Sequence, residues 1–250
     1  MFNLDGKKIV VTGAAQGNGE AIAKGLSALG ATVILADLNL EKLQQVKAEI
    51  ESQGRIAHAY QLNVSDVDAC TQFAARLEKE VGDLDVLVNN AGILRRSNLA
   101  SDSWLTDLED TLNVNVKGSY CLIHALVDAL KRTQGNIVNV ASIQSFVAAT
   151  TATSYAISKG AVAQMTKTLA AELAKYHIRV NAIAPGVIET PMTEFTRSQP
   201  QILEGYLRHV PMNRTGQAQE LVGPVAFLCS NAASYVTGCI LPVDGGYLTV

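Results

Sequence analysis

One glycine-rich run stands out near the start of the chain: Thr12-Gly13-Ala14-Ala15-Gln16-Gly17-Asn18-Gly19. It follows a short apolar stretch typical of a buried strand, Lys8–Thr12, and precedes Glu20–Leu29, whose apolar residues have helical spacing. Glycines are needed where a backbone turns sharply or approaches a pyrophosphate, and a helix start offers free N–H groups to phosphates. In this strand–loop–helix setting the run predicts a dinucleotide-binding loop, with a structural glycine-rich turn as the alternative.

An acidic residue ends the next predicted strand, Thr32–Asp37. A carboxylate in this place can accept hydrogen bonds from the ribose hydroxyls of adenosine, and it repels the 2′-phosphate of NADP. The neighbours Ala36, Leu38 and Asn39 carry no positive charge that would receive that phosphate. The sequence therefore predicts NAD as the cofactor in preference to NADP.

Apolar stretches with the lengths of strands alternate with helix-like stretches along the chain. Further strands are predicted at Ala57–Val64, Val86–Asn89, Asn136–Ala141, Arg179–Ala184 and Ile240–Asp244. Further helices are predicted at Leu40–Gln53, Asp66–Val81, Ser103–Arg132, Ser154–Tyr176 and Ala218–Cys229. Continuously apolar strands are typical of a parallel sheet covered on both faces. We predict an α/β fold with a doubly wound, parallel, seven-stranded sheet in a single domain, residues 1–250.

One long stretch, residues 186–216, lacks strong periodicity and is punctuated by Pro191, Pro200 and Pro211. A segment of this length is more often functional than idle. We predict that it forms a substrate lid, although its apolar side chains would equally suit packing of the lid against the body.

Three side chains suggest acid–base chemistry. Tyr155 and Lys159 are four residues apart on a predicted helix, so their side chains share one face. A lysine ammonium near a tyrosine is expected to lower the pKa of the phenol, so that the pair exchanges a proton with an alcohol oxygen. Ser142 follows the fifth strand, at the sheet edge where such folds bind ligands, and its hydroxyl can hold the same oxygen. The Tyr–Lys spacing alone would also fit an ordinary amphipathic helix.

Together, these motifs resemble the short-chain dehydrogenase/reductase family over the whole chain. They stand in the family's order: the glycine loop, Asn89-Asn90-Ala91-Gly92, Asn115, Ser142, Tyr155-Ala156-Ile157-Ser158-Lys159 and Pro185-Gly186. The resemblance implies a Rossmann-type fold and an NAD(H)-dependent oxidoreductase that interconverts a secondary alcohol and a ketone by hydride transfer.

The resemblance also implies roles for single residues. Tyr155 would be the catalytic acid–base, Ser142 would hold the carbonyl, and Lys159 would lower the phenol pKa and bind the nicotinamide ribose. Asn115 would hold a water that extends the proton relay. Asn18 and Asn63 depart from the family's usual isoleucine and aspartate. Cofactor contacts are expected from Gly13, Gln16, Gly17, Asn18, Gly19, Asp37, Asn63, Val64, Asn90, Ala91, Gly92, Tyr155, Lys159, Pro185, Gly186, Ile188 and Thr190.

Two adjacent arginines, Arg95 and Arg96, resemble those of gluconate 5-dehydrogenases and deoxygluconate 3-dehydrogenases in this family. Because a guanidinium suits a carboxylate, they indicate a sugar acid, although a solvated basic turn or a subunit contact is the alternative. Gln144 and Phe146 are expected to wall the substrate pocket. Other readings are a 3-oxoacyl-acyl-carrier-protein reductase, a general carbonyl reductase, and a cofactor-sensing protein without catalysis.

Composition argues against several kinds of partner. Charged residues make up only 17% of the chain and the net charge is −3, so no nucleic acid is expected. Neither a membrane span nor a secretory signal is found, so a cytoplasmic protein is expected. The four cysteines and four histidines are isolated, so no metal site is predicted. In the family that it resembles, the predicted helix at 154–176 forms a subunit contact, which favours a homotetramer, with a dimer as the alternative.

Overall fold

A parallel sheet of seven strands forms the centre of the computed structural model, which describes residues 2–148 and 151–250. The order across the sheet is β3-β2-β1-β4-β5-β6-β7. The order reverses between β1 and β4, and at such a switch point the loops that leave the two strands diverge and open a crevice. The strands are β1 (Lys8–Thr12), β2 (Thr32–Asp37), β3 (Ala57–Gln61), β4 (Val86–Asn89), β5 (Asn136–Val140), β6 (Arg179–Pro185) and β7 (Ile240–Val243).

Helices cover both faces of the sheet, because each strand is apolar on both sides. One apolar layer packs α1, α2 and α9 against side chains such as Ile9 and Val11, and the other packs α3, α5 and α6 against Val10 and Leu87. The α/β, doubly wound fold predicted from the sequence is confirmed. The helices are α1 (Gly17–Ala28), α2 (Leu40–Ser52), α3 (Val67–Glu80), α4 (Trp104–Leu112), α5 (Ser119–Thr133), α6 (Thr153–Leu173), α7 (Glu194–Ser198), α8 (Pro200–Leu207) and α9 (Val222–Cys229).

The long helix predicted over Ser103–Arg132 is not continuous. Between α4 and α5 the chain forms a π-helical turn, Asn113–Gly118. A π-turn holds an extra residue in the helix, and such turns occur frequently at functional sites. The prediction of one uninterrupted α-helix was wrong because apolar spacing does not report a tertiary contact that stabilises this turn. The strand predicted at Ala57–Val64 is also shorter than expected, and ends at Gln61.

The stretch 186–216 is closed at its base and holds two short helices, α7 and α8. Gly216 donates its N–H to the Val187 carbonyl at 3.0 Å, and Glu189 donates its N–H to the Gly216 carbonyl at 2.8 Å. The segment therefore leaves the sheet after β6 and returns to the same place. It lies beside the carboxyl ends of the strands, because it begins where β6 ends.

Candidate active site

A cleft of about 380 Å³ opens at the carboxyl ends of the strands. Most of the residues predicted from the sequence line it, although they come from segments far apart in the chain. Gly19 and Asn115 do not line it. The predicted residues that do are Gly13, Gln16, Gly17, Asn18, Asp37, Asn63, Val64, Asn90, Ala91, Gly92, Ser142, Tyr155, Lys159, Pro185, Gly186, Ile188 and Thr190.

The glycine loop has a backbone that other residues would not tolerate. Gly13 has a φ of +64°, a conformation that favours glycine. Gly19 packs so closely behind the loop that a Cβ there would overlap the carbonyl oxygen of Gly13 and the side-chain amide of Asn90. The buried Oδ1 of Asn18 has no hydrogen-bond partner among the described residues. The loop is therefore shaped by its glycines, and it leaves a polar atom at the cleft without a protein partner.

A second loop, residues 89–92, is pinned to the glycine loop. The Asn90 amide donates to the carbonyl oxygens of Thr12 at 2.9 Å and of Gly13 at 3.2 Å. The Thr12 hydroxyl accepts the backbone N–H of Asn90 at 3.0 Å and of Ala91 at 2.9 Å. The two NH donors of the Asn90 side chain are therefore used within the protein, and Asn90 shapes the cleft by holding the loop.

The adenosine end of the cleft carries Asp37 and Asn63. The Asp37 carboxylate accepts the backbone N–H of Ala15 at 3.2 Å and of Asn39 at 3.0 Å, so it is fixed at the end of β2. The Asn63 Oδ1 accepts from the backbone N–H and the hydroxyl of Ser65, at 3.1 and 2.8 Å. The side-chain oxygen of Asn63, a residue expected to contact the cofactor, is thus already engaged in a local turn.

Tyr155 and Lys159 lie together at the other end of the cleft, beside Ser142. The Lys159 ammonium is buried, donates to the Val140 carbonyl at 2.7 Å and lies 5.5 Å from the centre of the Tyr155 ring. Burial lowers the pKa of Lys159 to about 8. Burial also raises the pKa of Tyr155 to about 12, with the Ser142 hydroxyl acting in the opposite direction.

The net shift of the Tyr155 pKa is therefore upward, opposite to the direction that the sequence predicted. The ammonium is directed to a backbone carbonyl, and loss of solvent around the phenol outweighs any stabilisation of the phenolate. Ser142 itself is oriented by the backbone, because its hydroxyl accepts the N–H of Gln144 at 3.2 Å.

Asn115 lies in the π-helical turn and is buried. Its Oδ1 accepts the Ile93 N–H at 2.8 Å, and its Nδ2 donates to the Ile93 carbonyl at 3.0 Å and to the Ser158 hydroxyl at 2.9 Å. The side chain thus ties the loop after β4 to α6, one residue before Lys159. The sequence identified Asn115 but gave no sign of its bond to Ser158.

The four predicted substrate residues do not line this cleft. Arg95 is ion-paired with Asp110 at 3.3 Å, which supports its alternative interpretation as a surface residue. Arg96 donates to the Thr196 hydroxyl at 2.9 Å and stacks over the Phe195 ring, so it contacts the predicted lid. Phe146 is half exposed. Gln144 follows Ser142 closely, and its buried Oε1 has no hydrogen-bond partner among the described residues.

Sequence analysis missed several residues of the cleft wall. Most are apolar and adjoin a predicted residue, so only their position next to a motif could have indicated them. The polar exception is Thr193, which adjoins no predicted residue. The missed lining residues are Ala36, Leu38, Leu62, Ile93, Val114, Val140, Ala141, Pro191 and Thr193.

The sequence matches known proteins along nearly its full length. A family model described as enoyl-(acyl carrier protein) reductase matches residues 13–248. The chain is 37% identical over 247 residues to gluconate 5-dehydrogenase of Gluconobacter oxydans (strain 621H), covering 98% of this chain and 96% of that protein. The chain belongs to the short-chain dehydrogenase/reductase family. This confirms the resemblance and identifies an oxidoreductase that acts on CH–OH groups.

Two further relatives of this dehydrogenase/reductase point to different substrates. One is the 3-oxoacyl-(acyl-carrier-protein) reductase of Thermotoga maritima, 40% identical over 249 residues that cover 98% of this chain and 99% of that protein. The other is a gluconate 5-dehydrogenase from Burkholderia cenocepacia J2315, whose crystal structure is in complex with NADP and tartrate. Its fold matches with a TM-score of 0.95 and 33% identity, covering 100% of this chain and 98% of that one.

The described part of this dehydrogenase/reductase has neither a metal-binding cluster nor a helix that could span a membrane. No three histidine, cysteine or acidic side chains cluster there in a way that would hold a metal ion. None of its helices is both long enough and apolar enough to cross a membrane.

Proposed function

We propose that this chain is an NAD(H)-dependent dehydrogenase that interconverts a secondary alcohol and a ketone, with a sugar acid or polyol as substrate. The observation that carries the proposal is the meeting of Ser142, Tyr155 and Lys159 in one cleft with the glycine loop. An acid–base pair and a dinucleotide loop at one sheet edge are what hydride transfer to or from a carbonyl carbon requires.

The residues of the cleft fit a nicotinamide dinucleotide. The glycine loop is held open by Asn90, and the unpartnered Asn18 oxygen supplies a free acceptor. Asp37 is fixed in a place suited to ribose hydroxyls, which favours NAD. Pro185, Gly186, Ile188 and Thr190 would hold the nicotinamide end. The cofactor supplies the hydride chemistry, while the protein orients the reactants and moves the proton.

Tyr155 is proposed as the residue that moves this proton. With its pKa near 12 the phenol is protonated at neutral pH, so it can donate to a ketone oxygen while the Ser142 hydroxyl holds that oxygen. In the oxidation direction the phenol must lose its proton, and the adjacent Lys159, charged below its pKa of about 8, is placed to stabilise the phenolate. For Asn115 we keep the proposal that it holds a water that extends the proton relay. Its side chain also ties Ile93 to α6.

A hydroxylated, anionic substrate is supported by Gln144, which lies beside Ser142, and by Arg96. The buried Gln144 oxygen lacks a donor among the described residues, and a substrate hydroxyl would supply one. The Arg96 guanidinium has no carboxylate within 4 Å in the described structure, whereas that of Arg95 does. The related gluconate 5-dehydrogenase from Burkholderia cenocepacia was crystallised with tartrate, a hydroxy acid. We propose that the segment 186–216, through its contacts with Arg96, closes over such a substrate.

The test is NADH formation with NAD, measured against one panel of aldonic acids and one of uncharged secondary alcohols. The proposal is supported if kcat/KM for the aldonic acids is at least tenfold higher than for the uncharged alcohols. Turnover of the uncharged alcohols alone would replace the sugar acid by a general carbonyl substrate. Turnover of neither would remove the proposed activity.

A second candidate is a 3-oxoacyl-acyl-carrier-protein reductase, favoured by the 40% identical relative of Thermotoga maritima. An acidic carrier protein needs a basic surface, and this chain has a net charge of −3. NADPH oxidation with a 3-oxoacyl thioester distinguishes the two, since a sugar-acid dehydrogenase should turn it over poorly.

A homotetramer remains our proposal for the assembly. Trp104, the single tryptophan of the sequence, is half exposed at the start of α4. Ile157 on α6 and Tyr120 on α5 are also about half exposed. Apolar side chains on neighbouring helices favour a subunit contact there. Sedimentation velocity with the purified chain would show the state directly.

A further inference from the structure

A lysine that sequence analysis passed over reaches the glycine loop. Lys42 lies in the first turn of α2, and its ammonium donates to the Gln16 side-chain oxygen at 2.8 Å. Gln16 lines the cleft. Only the direct neighbours of Asp37 were considered in the prediction of NAD, and Lys42 lies five residues further along the chain. The start of α2 turns back toward the loop and brings this charge to the rim.

The charge of Lys42 is not neutralised by the protein. In the part of the chain that the structure describes, no carboxylate lies within 4 Å of its ammonium. Lys47 on the same helix pairs with Glu51 at 3.4 Å, and Lys24 pairs with Glu20 and Glu49. Lys42 instead bonds to a neutral amide that can release it at little cost, so the ammonium is available to an anion.

Lys42 and Asp37 lie at the same end of the cleft. The Asp37 carboxylate accepts the N–H of Ala15, the residue before Gln16, and of Asn39, the residue that caps α2. If Asp37 binds the adenosine ribose, as the proposed function requires, the ammonium held by Gln16 would be a cation at the same end of the site. A carboxylate there repels a 2′-phosphate, and an unpaired ammonium attracts it.

We infer that Lys42 is a cofactor-specificity residue that contacts the 2′-phosphate of NADP and so weakens the preference for NAD set by Asp37. The inference rests on the proposed dinucleotide site. The chain is then expected to bind both NAD and NADP with measurable affinity. The ratio of the two affinities depends on the opposite charges of Asp37 and Lys42.

Binding, and not turnover, is the direct test. NADH and NADPH are each titrated into the full-length protein, and the change in nucleotide fluorescence gives both dissociation constants. The variant is Lys42→Met, which keeps the length of the side chain and removes the charge. Lys47→Met is the matched control, since it lies on the same helix and is turned to Glu51.

Lys42→Met should weaken NADPH binding about fivefold, the range of a single charge-assisted contact at an exposed rim, and leave NADH within twofold. Lys47→Met should change neither. In 0.5 M NaCl the NADPH effect should shrink, because salt screens exposed charges.

Equal effects on both nucleotides, no effect on either, or a wild type that binds NADH but not NADPH would overturn the inference while the dinucleotide site stands. Failure to bind either nucleotide would remove the proposed function as well.

Discussion

The Lys159 ammonium lies 5.5 Å from the centre of the Tyr155 ring while it donates its hydrogen bond to the Val140 carbonyl at the end of β5. The two side chains are brought together by helical spacing, but the protein does not join them by a direct hydrogen bond. Burial favours the neutral form of both side chains more than water does. It lowers the Lys159 pKa to about 8 and raises the Tyr155 pKa to about 12. The pair is thus arranged so that charge on it is costly until a ligand completes the site.

Replacing Lys159 by methionine should change how stability depends on pH. Because the pKa of Lys159 is about 8 in the folded protein and 10.5 in the unfolded chain, the unfolded chain binds more protons between these values. The wild type therefore gains stability as pH rises through this window. Relative to Lys159→Met, its free energy of unfolding should increase by about 2 kcal/mol from pH 8 to pH 10.

The measurement is urea unfolding at several pH values, with Lys47→Met as the control because Lys47 is a partly exposed, ion-paired lysine. The free energy of unfolding of Lys47→Met should change with pH in the same way as that of the wild type. If the Lys159→Met curve also runs parallel, the lysine is not held at a lowered pKa.

Adding one methyl group at Gly19 should disrupt the cofactor loop. In Gly19→Ala the new Cβ meets the Gly13 carbonyl and the Asn90 amide, so the backbone of the loop must shift. We expect NADH affinity to fall at least tenfold, together with a loss of stability of about 2 kcal/mol. Gly223→Ala, at a helical glycine with no atom within 4 Å of its Cβ position, should leave NADH binding unchanged. Calorimetric titration with NADH checks both, and equal affinities in the two variants would contradict the packing described here.

The two adjacent arginines should behave differently, although they are identical in chemistry. Arg96→Met should raise the KM for a sugar acid at least tenfold, because Arg96 has no carboxylate partner in the described part of the chain and contacts the 186–216 segment. Arg95→Met should change it less than twofold, because Arg95 already pairs with Asp110. Steady-state kinetics with a sugar acid and an uncharged alcohol separate charge recognition from lid contact. An Arg96 effect on both substrates would assign it to the lid alone, and no effect on either would make it a surface residue.

The sequence predicted the sheet, the glycine loop and the Tyr155–Lys159 pair because each depends on local spacing. Strand and helix periods, glycines and acidic strand ends are visible in one dimension. The π-helical turn around Asn115 was not visible, because its two bonds to Ile93 come from a loop 22 residues away. The direction of the Tyr155 pKa shift and the reach of Lys42 also escaped prediction, since both depend on which segments pack around them.

The central claim is that Tyr155 transfers the proton, and Tyr155→Phe tests it most directly. NADH binding and the rate of alcohol oxidation are measured on the same preparation, with the fully exposed Tyr235 changed to phenylalanine as the control. We predict that Tyr155→Phe lowers kcat by about a thousandfold, with NADH affinity within threefold of the wild type, and that Tyr235→Phe changes neither. A Tyr155→Phe enzyme that keeps kcat within tenfold of the wild type would contradict the account.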